Sequence, residues 1–175
     1  MQTILVAITV FGASTSIGAD EYQLLDQKQT SNLRFAANIG SKDGHPKMLV
    51  PAIIYQESKA GDDKKHRSFI GIGQLTVGAI KEVFIEHPDV SELCEGASAK
   101  SSSSKLVKTV QSNDRCGITV TSKYLKVLKE KYGLRTVEQQ VVGYQMGPAA
   151  AKKIRSSPYS KSVFNHKAKL VKLME

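Results

Sequence analysis

Apolar side chains recur along this chain at the spacing of an α-helix, and few segments show the alternation that marks a β-strand. The helical spacing occurs in residues 21–38, 46–57, 74–86, 120–132 and 136–147, and in the tail from residue 160. A chain of 175 residues with 41% hydrophobic residues can build one core. We therefore expect a mainly α protein with one domain, residues 20–175.

Some of these segments carry helix boundary signals. Thr136 with Gln139 three residues later is a capping-box pattern, and Gly147 followed by Pro148 is expected to end that helix. Pro51 lies inside the pattern that leads to Glu57, so it should bend that helix or shift its start.

Residues 1–19 contain no charged side chain and precede two acidic residues, Asp20 and Glu21. The small residues Ser16, Gly18 and Ala19 at the end of this segment are typical of a signal-peptidase site. We predict a signal peptide and export to the periplasm or cell envelope, or secretion. No Lys or Arg begins the segment, and its length is marginal for a membrane span, so a temporary membrane tether is the alternative.

The two cysteines, Cys94 and Cys116, fit export because a single pair in an oxidising compartment can close a loop. They bracket residues 98–104, a serine-rich stretch that is the most loop-like part of the chain. Two unlinked thiols in the core are the alternative. The sequence has no CxxC or Cys/His zinc pattern, so we expect no structural zinc and no other cofactor.

The charge balance favours an anionic partner. Lys and Arg number 25 against 16 Asp and Glu, and the net charge of +9 suits nucleic acid, a membrane surface or the acidic cell wall. An aromatic content of 6% without Trp offers little stacking surface, so we do not expect a nucleic-acid binder. Candidates for an anion-binding face are the cluster Lys152, Lys153 and Arg155 and the lysines after Ser160; an evenly spread basic surface is the alternative.

Glu57 follows an apolar run, residues 49–55, and is the acid whose surroundings stand out. A glutamate on a helix is ordinarily a solvated side chain. A carboxyl group held against apolar walls loses solvation instead, which raises its pKa and lets it hold a proton near neutral pH. Glycosidic cleavage needs such a donor, because the departing sugar oxygen is a poor leaving group until it is protonated.

Three short motifs follow one another along the chain: Ala-Ile-Ile-Tyr-Gln-Glu-Ser at 52–58, Ser-Phe-Ile-Gly-Ile-Gly-Gln-Leu at 68–75, and Gly-Tyr-Gln-Met-Gly-Pro at 143–148. In this order and spacing they resemble the catalytic domain of soluble lytic transglycosylases, glycoside hydrolase family 23, over residues 33–154. The resemblance implies a lysozyme-like fold with a cleft, and peptidoglycan glycan strands as the substrate.

By position, the resemblance implies that Glu57 is the catalytic acid and that the Tyr144 hydroxyl lies beside its carboxylate and can bond to it. A core tyrosine is the alternative for Tyr144. The implied substrate-side residues are Ser58, which also fixes the end of the helix, Ser68, Gly71, Gln74 and Gln145.

The chain departs from the family pattern at four positions. Gly143 and Gln145 replace the usual Ala and Asn, Gly73 replaces the usual Met, and Gly117 stands where Asn is common. Neither Glu57 nor Tyr144 is affected. We therefore expect the sugar-contacting side of the cleft to differ while the reaction is retained.

The implied reaction uses one carboxyl group. Glu57 protonates the bond between N-acetylmuramic acid and N-acetylglucosamine, and then as a base accepts the proton of the muramic 6-hydroxyl, which closes a 1,6-anhydro ring. A lysozyme-type hydrolase using Asp62 or Asp63 as a second carboxylate is the nearer alternative, and a non-catalytic wall-binding or assembly protein is the other. The sequence leaves the setting open between wall growth, a secretion or conjugation machine, and a phage.

Overall fold

A computed structural model of the protein describes residue 22, residues 24–63 and residues 69–174. This part of the chain contains eight α-helices: α1 Gln27–Lys42, α2 Leu49–Ser58, α3 Val77–Glu86, α4 Ser103–Ser112, α5 Asp114–Glu130, α6 Val137–Met146, α7 Pro148–Ala151 and α8 Pro158–Met174. Two short 3₁₀ helices, Lys59–Gly61 and Pro88–Glu92, join them. These residues form no β-strand, and the prediction of a mainly α, single compact domain is confirmed.

Helix α2 lies at the centre of the fold and ends beside Glu57. It packs against α1, α5 and α8, and eight of its ten residues are buried. A helix that is apolar on all sides needs partners on all sides, which explains its central position. Gln56 and Glu57 are the two residues of α2 that are only half-buried, so the helix presents polar groups at one point of its surface.

The start of α2 follows the prediction for Pro51. The helix begins at Leu49, after Met48 in a left-handed conformation, and not in the segment that starts at Pro46. Pro51 is therefore the third residue of the helix, where its missing N–H has no intrahelical partner to lose. The early proline shifts the start of the helix and leaves the turn that carries Glu57 intact.

Side-chain caps set two further helix boundaries. The capping box of Thr136 and Gln139 is present at the start of α6, as predicted, and Gly147 ends that helix. A second capping box, formed by Asp26 and Gln29, starts α1 at Gln27. The N-cap side chain accepts a backbone N–H that the first helical turn leaves unpaired, which is why these residues fix the start.

The region between the cysteines is more helical than the serine-rich sequence indicates. Helix α4 starts inside the serine run, where the Ser102 side chain accepts the N–H of Lys105 as an N-cap. Helix α5 starts at Asp114, capped by Asn113, and so is longer than the predicted residues 120–132. Serine disfavours helix interiors but is a strong N-cap, so the same residues that indicate a loop also start a helix.

Cys94 and Cys116 form a disulfide, as predicted, with a Cα–Cα distance of 4.9 Å. Both are fully buried. The bond joins the chain just after Pro88–Glu92 to the first turn of α5 and closes a loop that contains α4.

The predicted signal peptide, residues 1–19, lies outside the described residues. Among the helices that are described, none combines the length and apolar character that crossing a membrane requires.

Candidate active site

An open pocket of about 620 Å³ lies where the end of α2 meets α3, α5, α6 and α8. Its lining residues are Gln56, Glu57, Phe69, Gln74, Leu75, Thr76, Ala79, Tyr124, Tyr144, Gln145, Met146, Gly147 and Tyr159. Among these described residues Glu57 is the single carboxylic acid, and no lysine, arginine or histidine accompanies it. Among the described lining residues, the charge is therefore that of Glu57.

Burial controls the protonation of Glu57. Loss of solvation raises its pKa from the usual 4.5 to about 7, against a smaller lowering by a hydrogen bond from Tyr159. Desolvation costs a carboxylate more free energy than it costs a neutral carboxyl group, and the apolar residues of α2 exclude water on one side of Glu57. Glu57 consequently exchanges its proton near neutral pH, as an acid/base group must.

The hydroxyl of Tyr159, at the start of α8, donates a hydrogen bond to Oε1 of Glu57. Burial and the nearby carboxyl group raise the pKa of Tyr159 well above its usual value of 10, so it remains a donor whether Glu57 is charged or neutral. The last helix was predicted to begin at Ser160, so Tyr159 was not among the predicted site residues. Its one local signal is Pro158, which favours the first turn of a helix.

Helix α8 holds the end of α2 through three successive pairs. Tyr159 bonds Glu57, the Ser162 hydroxyl donates to Oε1 of Gln56, and the His166 ring packs edge-on against Tyr55 at 4.9 Å between centroids. Positions 159, 162 and 166 lie on one face of a helix. The last residues of α2 are therefore fixed by an element more than 100 residues away.

Tyr144 does not make the bond to Glu57 that the resemblance implies. Its hydroxyl donates to the carbonyl oxygen of Gly73 at 2.5 Å and lies 3.3 Å from Oγ1 of Thr121. Burial, followed by the charge of Glu57, raises its pKa well above 10, so it stays neutral. Tyr144 lines the pocket, but its proton is committed to the backbone of the turn opposite Glu57.

The turn at residues 70–75 closes on itself. Ile70 and Leu75 exchange two backbone hydrogen bonds, of 2.9 and 3.1 Å. Gln74 has a left-handed backbone with φ 48°, and its Nε2 donates to the carbonyl of Gly71 at 2.8 Å. Gln74 does line the pocket, but its amide nitrogen is engaged in the hydrogen bond that stabilises the turn.

Gly71 and Ser58 stand behind the pocket wall, contrary to the substrate-side position the resemblance implies. Gly71 has φ +67°, and a Cβ there would lie 2.7 Å from the carbonyl oxygen of Val110, so the close approach is to α4. Ser58 is buried; its hydroxyl donates to the carbonyl of Ile72 at 2.7 Å and accepts the N–H of Gly61. Gly71 thus lets the turn approach α4, and Ser58 holds the turn against the end of α2.

The remaining candidates fall into different groups. Gln145 lines the pocket and accepts a hydrogen bond from the Ser157 hydroxyl at 3.4 Å. Ser68 lies outside the described residues. Asp62 and Asp63 are exposed and are not among the residues that line the pocket.

No family model matches the chain, and neither the curated proteins nor the solved structures contain a match.

The chemistry of the pocket is that of one carboxyl group with a pKa near neutrality, held by a neutral phenol. Such a group can donate a proton to a leaving oxygen and can accept one in a later step.

Three glycines that depart from the family pattern lie at close approaches. A Cβ on Gly73 would lie 1.9 Å from Oγ1 of Thr121, one on Gly143 would lie 2.6 Å from Cδ1 of Leu134, and one on Gly117 would lie 2.9 Å from Cγ2 of Ile72. Side chains at these positions would separate the turn and helices that form the pocket. These three departures thus have a packing reason.

Gly73→Ala is expected to lower the free energy of unfolding by about 1–3 kcal/mol, because its Cβ would overlap Oγ1 of Thr121. Adding Thr121→Ala should recover part of that loss, whereas Thr121→Ser, which keeps the hydroxyl, should not. Urea unfolding of the single and double variants measures the coupling. Equal losses in the two double variants would show that the overlap is not the cause.

Proposed function

We propose that this protein cleaves peptidoglycan glycan strands as a lytic transglycosylase with a lysozyme-like fold, and that Glu57 is its single acid/base. The observation that carries the proposal is a carboxyl group with a pKa of about 7 in a pocket whose described lining residues include no second carboxyl group. The three ordered motifs around Glu57, Gln74 and Tyr144 supply the substrate class. The pocket volume of about 620 Å³ falls within the usual range of ligand sites.

In the proposed reaction, neutral Glu57 gives its proton to the oxygen between N-acetylmuramic acid and N-acetylglucosamine. The bond between this oxygen and the muramic anomeric carbon breaks, and the substrate's acetamido group assists at this carbon. Glu57, now ionised, accepts the proton of the muramic 6-hydroxyl. The oxygen of that hydroxyl bonds to the same anomeric carbon. The proton returns to Glu57, the products are an anhydro end and a free sugar hydroxyl, and no water is consumed.

Tyr159 supports both steps of this scheme. Its hydrogen bond orients the carboxyl group and stabilises the ionised form that exists between the two proton transfers. Because its own pKa lies well above 10, it does not compete for the proton.

The alternatives have less support from the pocket. A hydrolase would need Asp62 or Asp63 to position water, but both are exposed and neither lines the pocket. A non-catalytic wall-binding protein would have no need for a carboxyl group with a strongly raised pKa, a feature that clusters at catalytic sites.

The pH dependence of cleavage follows from the protonation of Glu57. Because the reaction starts from neutral Glu57, kcat/KM is expected to fall as pH rises through about 7. Tyr159→Phe removes a hydrogen bond that lowers this pKa, so the falling limb should move to higher pH while the maximal rate decreases. If kcat/KM of Tyr159→Phe falls at the same pH as that of the wild type, the assignment of the titrating group to Glu57 is contradicted.

Release of soluble fragments from purified peptidoglycan by the purified protein tests the activity itself. We expect release by the wild type and none above background by Glu57→Gln. A correctly folded wild-type protein that releases nothing across the pH range 5–8, the window set by a pKa of about 7, would overturn the proposal.

A further inference from the structure

The C-terminal part of the chain has a one-sided charge. Residues 139–174 contain seven lysines and arginines and no aspartate or glutamate. The ion pairs among the described residues lie elsewhere, where Lys28, Lys123 and Lys131 contact carboxylates of other elements. The cations of the C-terminal part take no part in those pairs.

Three of these cations, Lys152, Lys153 and Arg155, are exposed and follow α7; we call them the cationic edge. The chain that carries them leaves the pocket at Gly147 and returns to it at Tyr159, since both residues line the pocket. The Ser157 hydroxyl also bonds to the pocket residue Gln145. The cationic edge is thus tied to the pocket at both ends.

Chain geometry limits the distance between the cationic edge and the pocket. Lys152 follows Gly147 across the short helix α7, which rises about 1.5 Å per residue, or about 8 Å in all. Arg155 precedes Tyr159 by four residues, which span at most about 14 Å when extended. The backbone of Lys152 and Arg155 therefore lies within about 14 Å of a pocket-lining residue. Long side chains at that distance can contact a group that projects from a sugar held in the pocket.

We propose that the cationic edge binds the carboxylates of the peptide stems, so that the enzyme prefers strands whose stems keep free carboxylates to strands whose stem carboxylates are neutralised. This inference rests on the proposed function. A peptide stem is joined by an amide bond to the lactyl group of the muramic sugar at the scissile bond and carries free carboxylates, whereas the lactyl group itself is neutral as long as that amide bond is intact. Exposed cations attract such groups over about a Debye length, about 10 Å at 0.1 M salt.

The test compares cleavage of isolated stem-bearing glycan strands with cleavage of the same strands after carbodiimide coupling in excess methylamine has converted their stem carboxylates into neutral amides, which leaves the lactyl amide bond intact. The variant is Lys152→Gln/Lys153→Gln/Arg155→Gln. The matched control, Lys100→Gln/Lys105→Gln/Lys108→Gln, removes the same charge from exposed positions in and before α4, which does not line the pocket.

The wild type and the control are expected to cleave the untreated strands on the order of ten-fold faster than the amidated strands, as kcat/KM, because three exposed ion pairs contribute modestly each. The variant should lose most of this preference and still cleave the amidated strands at the wild-type rate. Raising the salt concentration to about 1 M should remove the preference from the wild type, because the Debye length falls to about 3 Å.

The inference is overturned if the variant keeps the preference, or if the wild type cleaves both substrates equally. In either of those cases the proposed function stands. If the wild type cleaves neither substrate, the proposed function fails and the inference fails with it.

Discussion

Glu57→Gln is expected to lower the rate of strand cleavage on the order of 10⁴-fold. A positioned acid/base contributes roughly 10² to 10⁴ to a reaction, and here one group performs both proton transfers. Glutamine has nearly the same shape and keeps an oxygen that can accept the Tyr159 hydrogen bond, so the loss isolates the proton. Initial rates of fragment release from purified peptidoglycan, at equal amounts of folded protein, measure it.

The same substitution should stabilise the fold at alkaline pH. Burial raises the pKa of Glu57 from 4.5 to about 7, so the folded state binds a proton that the unfolded state releases between these values. The raised pKa therefore lowers stability as pH rises from about 4.5 to about 7, by about 3 kcal/mol at pH 8. Glu57→Gln should remove that loss, with little effect at pH 4.

Asp62→Asn/Asp63→Asn serves as the control for both effects. These carboxylates are exposed, so their removal should change neither the rate nor the pH dependence of stability in this way. A large loss of activity in this control would favour the hydrolase. An active Glu57→Gln protein would exclude Glu57 as the acid.

Loss of the disulfide is expected to lower the free energy of unfolding by about 3 kcal/mol. The bond closes a loop with a sequence separation of 22 residues, which restricts the unfolded chain far more than the folded one. Urea unfolding of Cys94→Ala/Cys116→Ala against the wild type measures the difference. Both sulfurs are fully buried, so small cavities add to the loss in the variant.

Reduction separates the covalent bond from the cavities. A reducing agent should lower the stability of the wild type by a similar amount and leave the double variant unchanged. A wild type that unfolds at the same urea concentration with and without reductant would show that the disulfide does not stabilise the fold.

Local sequence signals predicted the helical class, the capping box at Thr136 and the apolar surroundings of Glu57, because each depends on residues close in the chain. The disulfide was predictable because two cysteines allow one intramolecular pairing. Tyr159 was not, since its bond to Glu57 spans 102 residues and depends on how α8 packs against α2. Periodicity places a residue on a face but does not say which helix that face meets.

The role of a glycine is hard to predict for a related reason. A glycine indicates a close approach but does not identify the partner, and at Gly71 the partner is the backbone of Val110 and not a sugar. Tyr144 shows the same limit: its position in a motif placed it at the pocket, but the carbonyl of Gly73 receives its hydrogen bond. The motifs contribute Glu57, Gln74 and Tyr144 to the lining of one pocket, whereas tertiary contacts determine the hydrogen-bond partners of these residues.

Mass spectrometry of the fragments that the purified protein releases from peptidoglycan tests the single-carboxyl reaction most directly. If Glu57 acts first as acid and then as base, the muramic ends are 1,6-anhydro and are lighter by one water molecule than hydrolysed ends. We expect anhydro ends from the wild type and no fragments from Glu57→Gln. Reducing muramic ends as the main product would contradict the transglycosylase reaction and favour a hydrolase.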